Sequence, residues 1–471
     1  MSNSEYDIVI IGSGPGGYIA ALKAAAMGAR VAVVEKHLLG GTCLNYGCIP
    51  SKALLATAEL NHRIAHAKDW GLKGATAEVD WKAVQKRKDR ILRRLRGGVG
   101  QLFKARNVDL LEGHGRLGGA GKVTVEDADG NATELAAGKV ILAVGSVPSR
   151  IPGWPDEKNL VCTSDEALHW DTLPAKLLIV GGGVIGCEFA CMMNALGVEV
   201  TVVEMLPRLL PNMDSEIAEE MAGAFKKRGI AVHADTKVEK LSAADGALSV
   251  QLSDGQQLNP DRVLVATGRK PNTADVGLDT VGLEVDRGFV RVDDRMQTAA
   301  EGVYCIGDAN GRCLLAHAAS AQGIVAVRNA LGESCTLDQP IPEAVYTFPE
   351  AAAVGLTPQR AREKGIPFSV GKFPDGHLGK AMAAGETEGF AKVLRHRETD
   401  EILGVHMVGH NVTECIAAAG AMMAGKMPAH AAAEVVIAHP TISEALHEGL
   451  EDAFGQALHM PPRKVVRLRA E

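Results

Sequence analysis

A chain of 471 residues is too long for one hydrophobic core and calls for two to four domains. Its 53 glycines and 46% hydrophobic content suit an α/β protein with many tight turns, and a net charge of −7 removes the reason to expect a nucleic-acid partner, which demands a strongly basic surface. Nine cysteines, an odd number spread along so long a chain, do not form the framework of a secreted scaffold, so a reducing compartment is expected and any disulfide is expected to be catalytic.

No stretch reaches the roughly 18 uninterrupted apolar residues of a membrane helix. The first residues carry Glu5 and Asp7 where a signal peptide carries positive charge, which points to a cytoplasmic protein. Asp7 to Ile11 is a short β-branched run, followed at once by Gly12, Ser13, Gly14, Pro15, Gly16 and Gly17 and then an Ala-rich helical pattern to Met27. In such a strand, turn and helix, Gly12 permits the turn, Gly14 lets backbone approach a pyrophosphate, and Gly17 lets the helix pack on the sheet. Val31 to Val34 then reads as a second strand ending in Glu35, where a carboxylate can hold ribose hydroxyls.

Gly40 to Ala53 reads GGTCLNYGCIPSKA. Cys43 and Cys48 stand about one and a third helical turns apart, close enough to bridge if the turn is distorted. Lys52 falls on the same helix face as Cys48, where a cation favours thiolate. The pair is read as a redox disulfide, with two inert buried cysteines as the alternative. Asp80 to Arg106 reads as a helix with Trp81, Val84, Ile91, Leu92 and Leu95 inward; its many Lys and Arg form either a solvated face or a patch for an acidic partner.

The glycine pattern then repeats. Lys176 to Val180 leads into Gly181, Gly183 and Gly186, and Val198 to Val203 ends in Glu204 at the same spacing from the first glycine as before. Each unit is followed by an echo, AVGSVP at Ala143 to Pro148 and ATGRKP at Ala266 to Pro271, the latter containing Gly268. A repeated nucleotide unit implies two dinucleotides. Glu204 would repel a 2′-phosphate and accept from a 2′-hydroxyl, which favours NAD over NADP, although Arg208 lies near. Glu301 to Asn310 reads EGVYCIGDAN, an apolar strand ending at Gly307 and Asp308. From about Tyr346 the character changes to an α+β unit with a hairpin formed by Phe390 to Leu394 and Ile402 to Val408. Near the end, HPTISE at His439 to Glu444 permits two readings: a capping box of Thr441 with Glu444, or an acid–base histidine oriented by a carboxylate. The remaining seven cysteines lack metal-ligand spacing and are expected to pack as small hydrophobes; no metal site is expected.

GGTCLNYGCIPSK, the paired glycine loops and HPTISE together resemble the flavin disulfide reductases of the pyridine nucleotide-disulfide oxidoreductase family, and within it the branch that oxidises dihydrolipoamide, over essentially the whole chain. The resemblance implies two Rossmann-like domains plus an α+β dimerisation domain, divided as 1–150 for FAD, 151–275 for NAD, 276–345 returning to the FAD domain and 346–471 as the homodimer interface. It implies FAD on Gly12, Gly14, Gly17, Glu35, Lys52, Gly115, Asp308 and Ala316, with NAD on Gly181, Gly183, Gly186, Glu204 and Gly268. It implies catalysis by Cys43, Cys48, His439 and Glu444, the last two acting from the partner subunit, with Lys52 and Glu188 as an ion pair near the flavin ring. The implied substrate is a lipoylated protein. Glutathione reduction is disfavoured by Ser51 and Glu204, and mercuric reduction by the lack of a cysteine after Cys415; a flavoprotein module without turnover is the reading from another class. Val144 and the PDGHLGK segment at Pro374 to Lys380 depart from the usual pattern.

Overall fold

The computed structural model describes residues 5–461 except Asp156 and Lys158; the outermost parts of the expected first and last domains lie outside the described residues. Tyr6–Ile11 is buried at all but one position, as a parallel strand covered on both faces must be. It pairs in parallel with Val31–Glu35 on one side and Ala132–Leu142 on the other, in a seven-stranded sheet. Val303–Cys305 joins that sheet beside Ala132–Leu142, so the chain returns to its first unit after leaving it. The helix that follows, Ala316–Ala330, packs on Pro15–Ala26, and the contact is so close that a Cβ on Gly323 would come within 2.7 Å of the Gly16 carbonyl.

A second, five-stranded parallel sheet has the order Ala231–His233, Glu199–Val203, Lys176–Val180, Arg262–Val265 and Val161–Thr163. Behind it, Val184–Ala195 is buried along most of its length, with Cys187 and Cys191 among its buried residues. The C-terminal unit is a five-stranded antiparallel sheet. Its Phe390–His396 and Ile402–Gly409 form the expected hairpin, in the register Phe390 to Val408 and Leu394 to Gly404. Glu444–Asp452 lies against this sheet, where a Cβ on Gly371 would come within 2.0 Å of the Gly449 carbonyl. Among the described residues no helix is long and apolar enough to cross a membrane.

The basic helix runs Trp81–Ala105, capped by the Asp80 carboxylate on the Ala83 N–H at 2.9 Å. Trp81 and Leu92 are buried and Val84 and Ile91 partly so, but Leu95 is 40% exposed. The core stripe instead runs through Trp81, Lys88, Leu92, Val99 and Phe103. Lys88 can occupy an inward position because its stem is apolar and its ammonium reaches the Leu168 carbonyl at 2.8 Å and Gln85 Oε1 at 2.6 Å. The helix also contains Gly97, Gly98 and Gly100, each about 1 kcal/mol less favourable than alanine in a helix interior.

Of the seven other cysteines, Cys162, Cys187, Cys191 and Cys305 are buried as expected, whereas Cys313, Cys335 and Cys415 are only half-buried. Cys313 and Cys335 lie in loops, and Cys415 in the first turn of the helix Val412–Ala424.

Gly186 is the tightest point of the second glycine loop, since a Cβ there would sit 1.9 Å from the Gly181 carbonyl. Gly186→Ala is therefore expected to destabilise the protein by about 1–3 kcal/mol through overpacking, seen as a lowered midpoint in thermal denaturation. A midpoint equal to that of the unsubstituted chain would contradict the close approach.

Candidate active site

The two glycine loops are built alike. Gly12 and Gly181 take left-handed φ values of 101° and 113°, and a Cβ on either would strike the carbonyl of Ala143 or Ala266 in the neighbouring strand's continuation. Gly17 and Gly186 seal helix to loop. At Gly14 and Gly183, by contrast, a Cβ would meet no atom within 4 Å, so these positions face open space. The acids complete the repeat: Glu35 accepts from the Ser13 N–H at 2.9 Å and its hydroxyl at 2.6 Å, and Glu204 accepts from the Gly182 N–H at 2.6 Å. Each carboxylate braces its own loop while keeping lone pairs for a ribose.

Both loops open into one cleft of about 1710 Å³. Its walls hold Gly12, Gly14, Glu35, Cys43, Cys48, Lys52, Gly115, Gly181, Gly183, Glu188, Glu204, Gly268, Asp308 and Ala316. Gly17 and Gly186 serve it from behind as packing residues. A volume of this size, with backbone N–H groups at two helix N-termini, fits two dinucleotides.

The cysteines sit on either side of a break. Gly41–Tyr46 ends at Gly47, whose φ of −144° and ψ of −112° are not helical, and Cys48–Ala65 begins immediately after. This distortion brings the sulfurs together, with Pro50 in the first turn where its missing N–H is tolerated. Cys43 and Cys48 are described as two free, partly buried thiols. Cys43 donates to the Cys48 sulfur. That hydrogen bond, opposed by burial and helped by the Lys52 ammonium, lowers the Cys48 thiol to about 7, while the same contact and burial push Cys43 upward. Lys52 Nζ lies 2.8 Å from both oxygens of Glu188, whose side chain is only 7% exposed.

Three residues that the sequence reading did not single out complete the site. Tyr346 donates its backbone N–H to Glu188 at 3.0 Å, and its ring centroid lies 4.4 Å from Lys52 Nζ. Ser146 donates to Asp308, and Arg269 donates to the Ser146 hydroxyl at 2.7 Å and to its carbonyl at 2.8 Å. Ser146 and Arg269 belong to the two echo motifs, and the antiparallel pair Ser146–Pro148 with Arg269–Pro271 brings them together. The repetition was their only signal in the sequence.

His439 and Glu444 are not part of the cleft wall of this chain. His439 Nδ1 lies 2.8 Å from Glu444 Oε1, and its side chain is 78% exposed, leaving Nε2 toward solvent. Glu444 also accepts from the Thr441 N–H at 2.8 Å. Desolvation raises the Glu444 carboxyl, but the hydrogen bonds from His439 and Thr441 outweigh it and hold the group below its ordinary range. The capping box is only half formed: Thr441 Oγ1 donates back to the Ala438 carbonyl, and the helix starts later, with Ser443 as its N-cap. Among the described residues no group of three or more His, Cys, Asp or Glu could hold a metal ion.

Two glycine-loop units, a thiol pair between them and an antiparallel C-terminal unit define a nucleotide-dependent dithiol oxidoreductase. The family model described as pyridine nucleotide-disulphide oxidoreductase matches residues 6–323, and that family's dimerisation domain matches residues 341–450. The chain belongs to the pyridine nucleotide-disulphide oxidoreductase family.

Among its relatives is the dihydrolipoyl dehydrogenase of Bacillus subtilis, 40% identical over 97% of this chain and 99% of the relative. That of Chlamydia pneumoniae is 39% identical over 98% and 99%. Among solved structures, LpdA from Mycobacterium tuberculosis superposes with a TM-score of 0.89 at 27% identity, covering 94% of this chain and 99% of that one. A Cu(II) complex of the HOCl-induced flavoprotein disulfide reductase RclA from Escherichia coli gives a TM-score of 0.84 at 28% identity, covering 95% and 99%.

The thiol electrostatics predict a titration. Alkylation of the reduced protein by iodoacetamide is expected to accelerate as pH rises through about 7, as Cys48 becomes thiolate. In Lys52→Met the midpoint is expected to move up by about one unit. A midpoint near the ordinary thiol value in the unsubstituted protein would rule out the arrangement.

Proposed function

We propose that the chain is an NAD-dependent dihydrolipoyl dehydrogenase, oxidising a protein-bound dihydrolipoyl group to its cyclic disulfide. The observation that carries this reading is the thiol pair and its Lys52–Glu188 ion pair lying in one cleft with both glycine loops. The names of the full-length relatives support it. FAD and NAD are its cofactors: Gly12, Gly14, Gly17, Glu35, Gly115, Asp308, Ala316 and Lys52 hold FAD, and Gly181, Gly183, Gly186, Glu204 and Gly268 hold NAD. Residues 1–150, 151–275, 276–345 and 346–471 form the FAD, NAD, central and interface units. The protein acts as a cytoplasmic homodimer.

In this reading His439 Nε2 takes the proton of the first substrate thiol, and Glu444, bonded to Nδ1, fixes the tautomer and stabilises the imidazolium. The substrate thiolate attacks Cys43 in the oxidised pair; a sulfur–sulfur bond forms to Cys43 as the Cys43–Cys48 bond breaks. Cys48 leaves as thiolate beside Lys52. The second substrate thiol, deprotonated in turn, attacks the substrate sulfur and expels Cys43, which takes up one of the two protons to become the thiol that donates to Cys48; two electrons have passed to the cysteine pair and one proton has been released. When bound, FAD supplies the two-electron relay between that thiol pair and NAD. Because His439 is exposed and outside the cleft of its own chain, the site is completed by a second subunit.

His439→Ala is expected to lower kcat for dihydrolipoamide oxidation by about 10²–10⁴-fold with flavin absorbance intact. Cys48→Ser is expected to abolish the long-wavelength charge-transfer band on two-electron reduction. Full turnover in the first variant, or an unchanged band in the second, would refute the assigned roles.

A further inference from the structure

The exposed face of the Trp81–Ala105 helix breaks two local rules in adjacent turns. Lys82, Lys86, Arg90 and Arg94 follow one another at intervals of four, the spacing at which like charges repel on a helix, and Arg93 widens the stripe. All five are exposed, and among the described residues none forms an ion pair or a side-chain hydrogen bond. Asp89, the one carboxylate within the helix, is paired with the buried Lys88 at 3.3 Å. One turn further on come Gly97 and Gly98, around which a Cβ would meet no atom within 4 Å, so no contact inside the chain explains these helical glycines.

This helix is also braced to the redox loop. Arg96 donates to Asn45 Oδ1 at 2.8 Å, and Asn45 lies between the two cysteines. Arg87 donates to the Ala53 carbonyl at 2.9 Å, just beyond Lys52. The stripe therefore lies on a helix that is packed directly against the segment carrying the thiols.

We infer that this face is the docking surface for the carrier protein that bears the dithiol, and that the carrier meets it with an acidic surface. The inference rests on the reading of the reaction given above. The unpaired cations supply the complement to clustered carboxylates and steer encounter. The side-chain-free position at Gly97, on the same helix face as the cations, allows close approach of the carrier's backbone. In a chain of net charge −7, a local stripe of unneutralised cations selects such a partner over bulk anionic protein of no matching shape.

The test compares two substrates of the FAD-loaded dimer: free dihydrolipoamide, and a reduced lipoylated lipoyl domain from a 2-oxo acid dehydrogenase complex. In K86Q/R90Q/R94Q, kcat/KM for the lipoyl domain is expected to fall about tenfold at low salt, and the fall is expected to vanish at high salt. Turnover of free dihydrolipoamide is expected to stay unchanged, and the thermal midpoint to rise as the like-charge repulsion is relieved. K86E/R90E/R94E is expected to deepen the loss for the lipoyl domain alone. Unchanged kcat/KM for the lipoyl domain in both variants, an equal fall for both substrates, or dissociation of the dimer would overturn the docking surface. If the unsubstituted protein oxidised neither dithiol, the reading of the reaction would fall first, and this partner with it.

Discussion

The Lys52–Glu188 ion pair ties together three lengths of chain that are far apart in sequence. Lys52 comes from the helix that starts at Cys48, Glu188 from the helix of the second glycine loop, and Tyr346, at the entry to the C-terminal unit, fixes Glu188 through its N–H and covers Lys52 with its ring. A carboxylate this buried needs its partners, because an unpaired charge in a low-dielectric site is costly. The ammonium it positions is one of the groups that hold the Cys48 thiol near 7. Domain packing and thiol chemistry thus depend on the same contact.

The second constraint is steric and occurs twice. Gly17 and Gly186 can only be glycine because the carbonyls of Gly12 and Gly181 stand about where a Cβ would be. This crush seats each helix end at its strand and leaves Gly14 and Gly183 open, which is how backbone N–H groups come to line a space large enough for a pyrophosphate. Glu35 and Glu204 then fasten the loops by accepting from their own N–H groups.

The His439–Glu444 pair is set apart from this cleft. His439 is bonded to a carboxylate and otherwise exposed, so one chain holds the thiols in its cleft and presents the proposed base elsewhere on its surface. Such a division is consistent with the family's dimerisation domain occupying residues 341–450. Where the HPTISE segment could have been a capping box, Thr441 turns its hydroxyl to the Ala438 carbonyl, and Glu444 is left to serve the histidine as well as the Thr441 N–H.

Local chemistry alone determined the repeated strand, glycine turn and helix, the acids that end the second strands, the cysteine pair with its lysine, and the C-terminal hairpin, because each depends on residues close in sequence and on a spacing that few other structures use. Tertiary structure alone decided the rest. The inward place of Lys88 depended on a carbonyl at Leu168, far along the chain. Ser146, Arg269 and Tyr346 joined the site only through partners more than a hundred residues away, and hydrogen bonds across such separations leave no periodicity in a sequence. The lowered Cys48 thiol likewise required the break at Gly47 to set one sulfur beside the other, since spacing constrains how near two side chains can come but not which conformation brings them there.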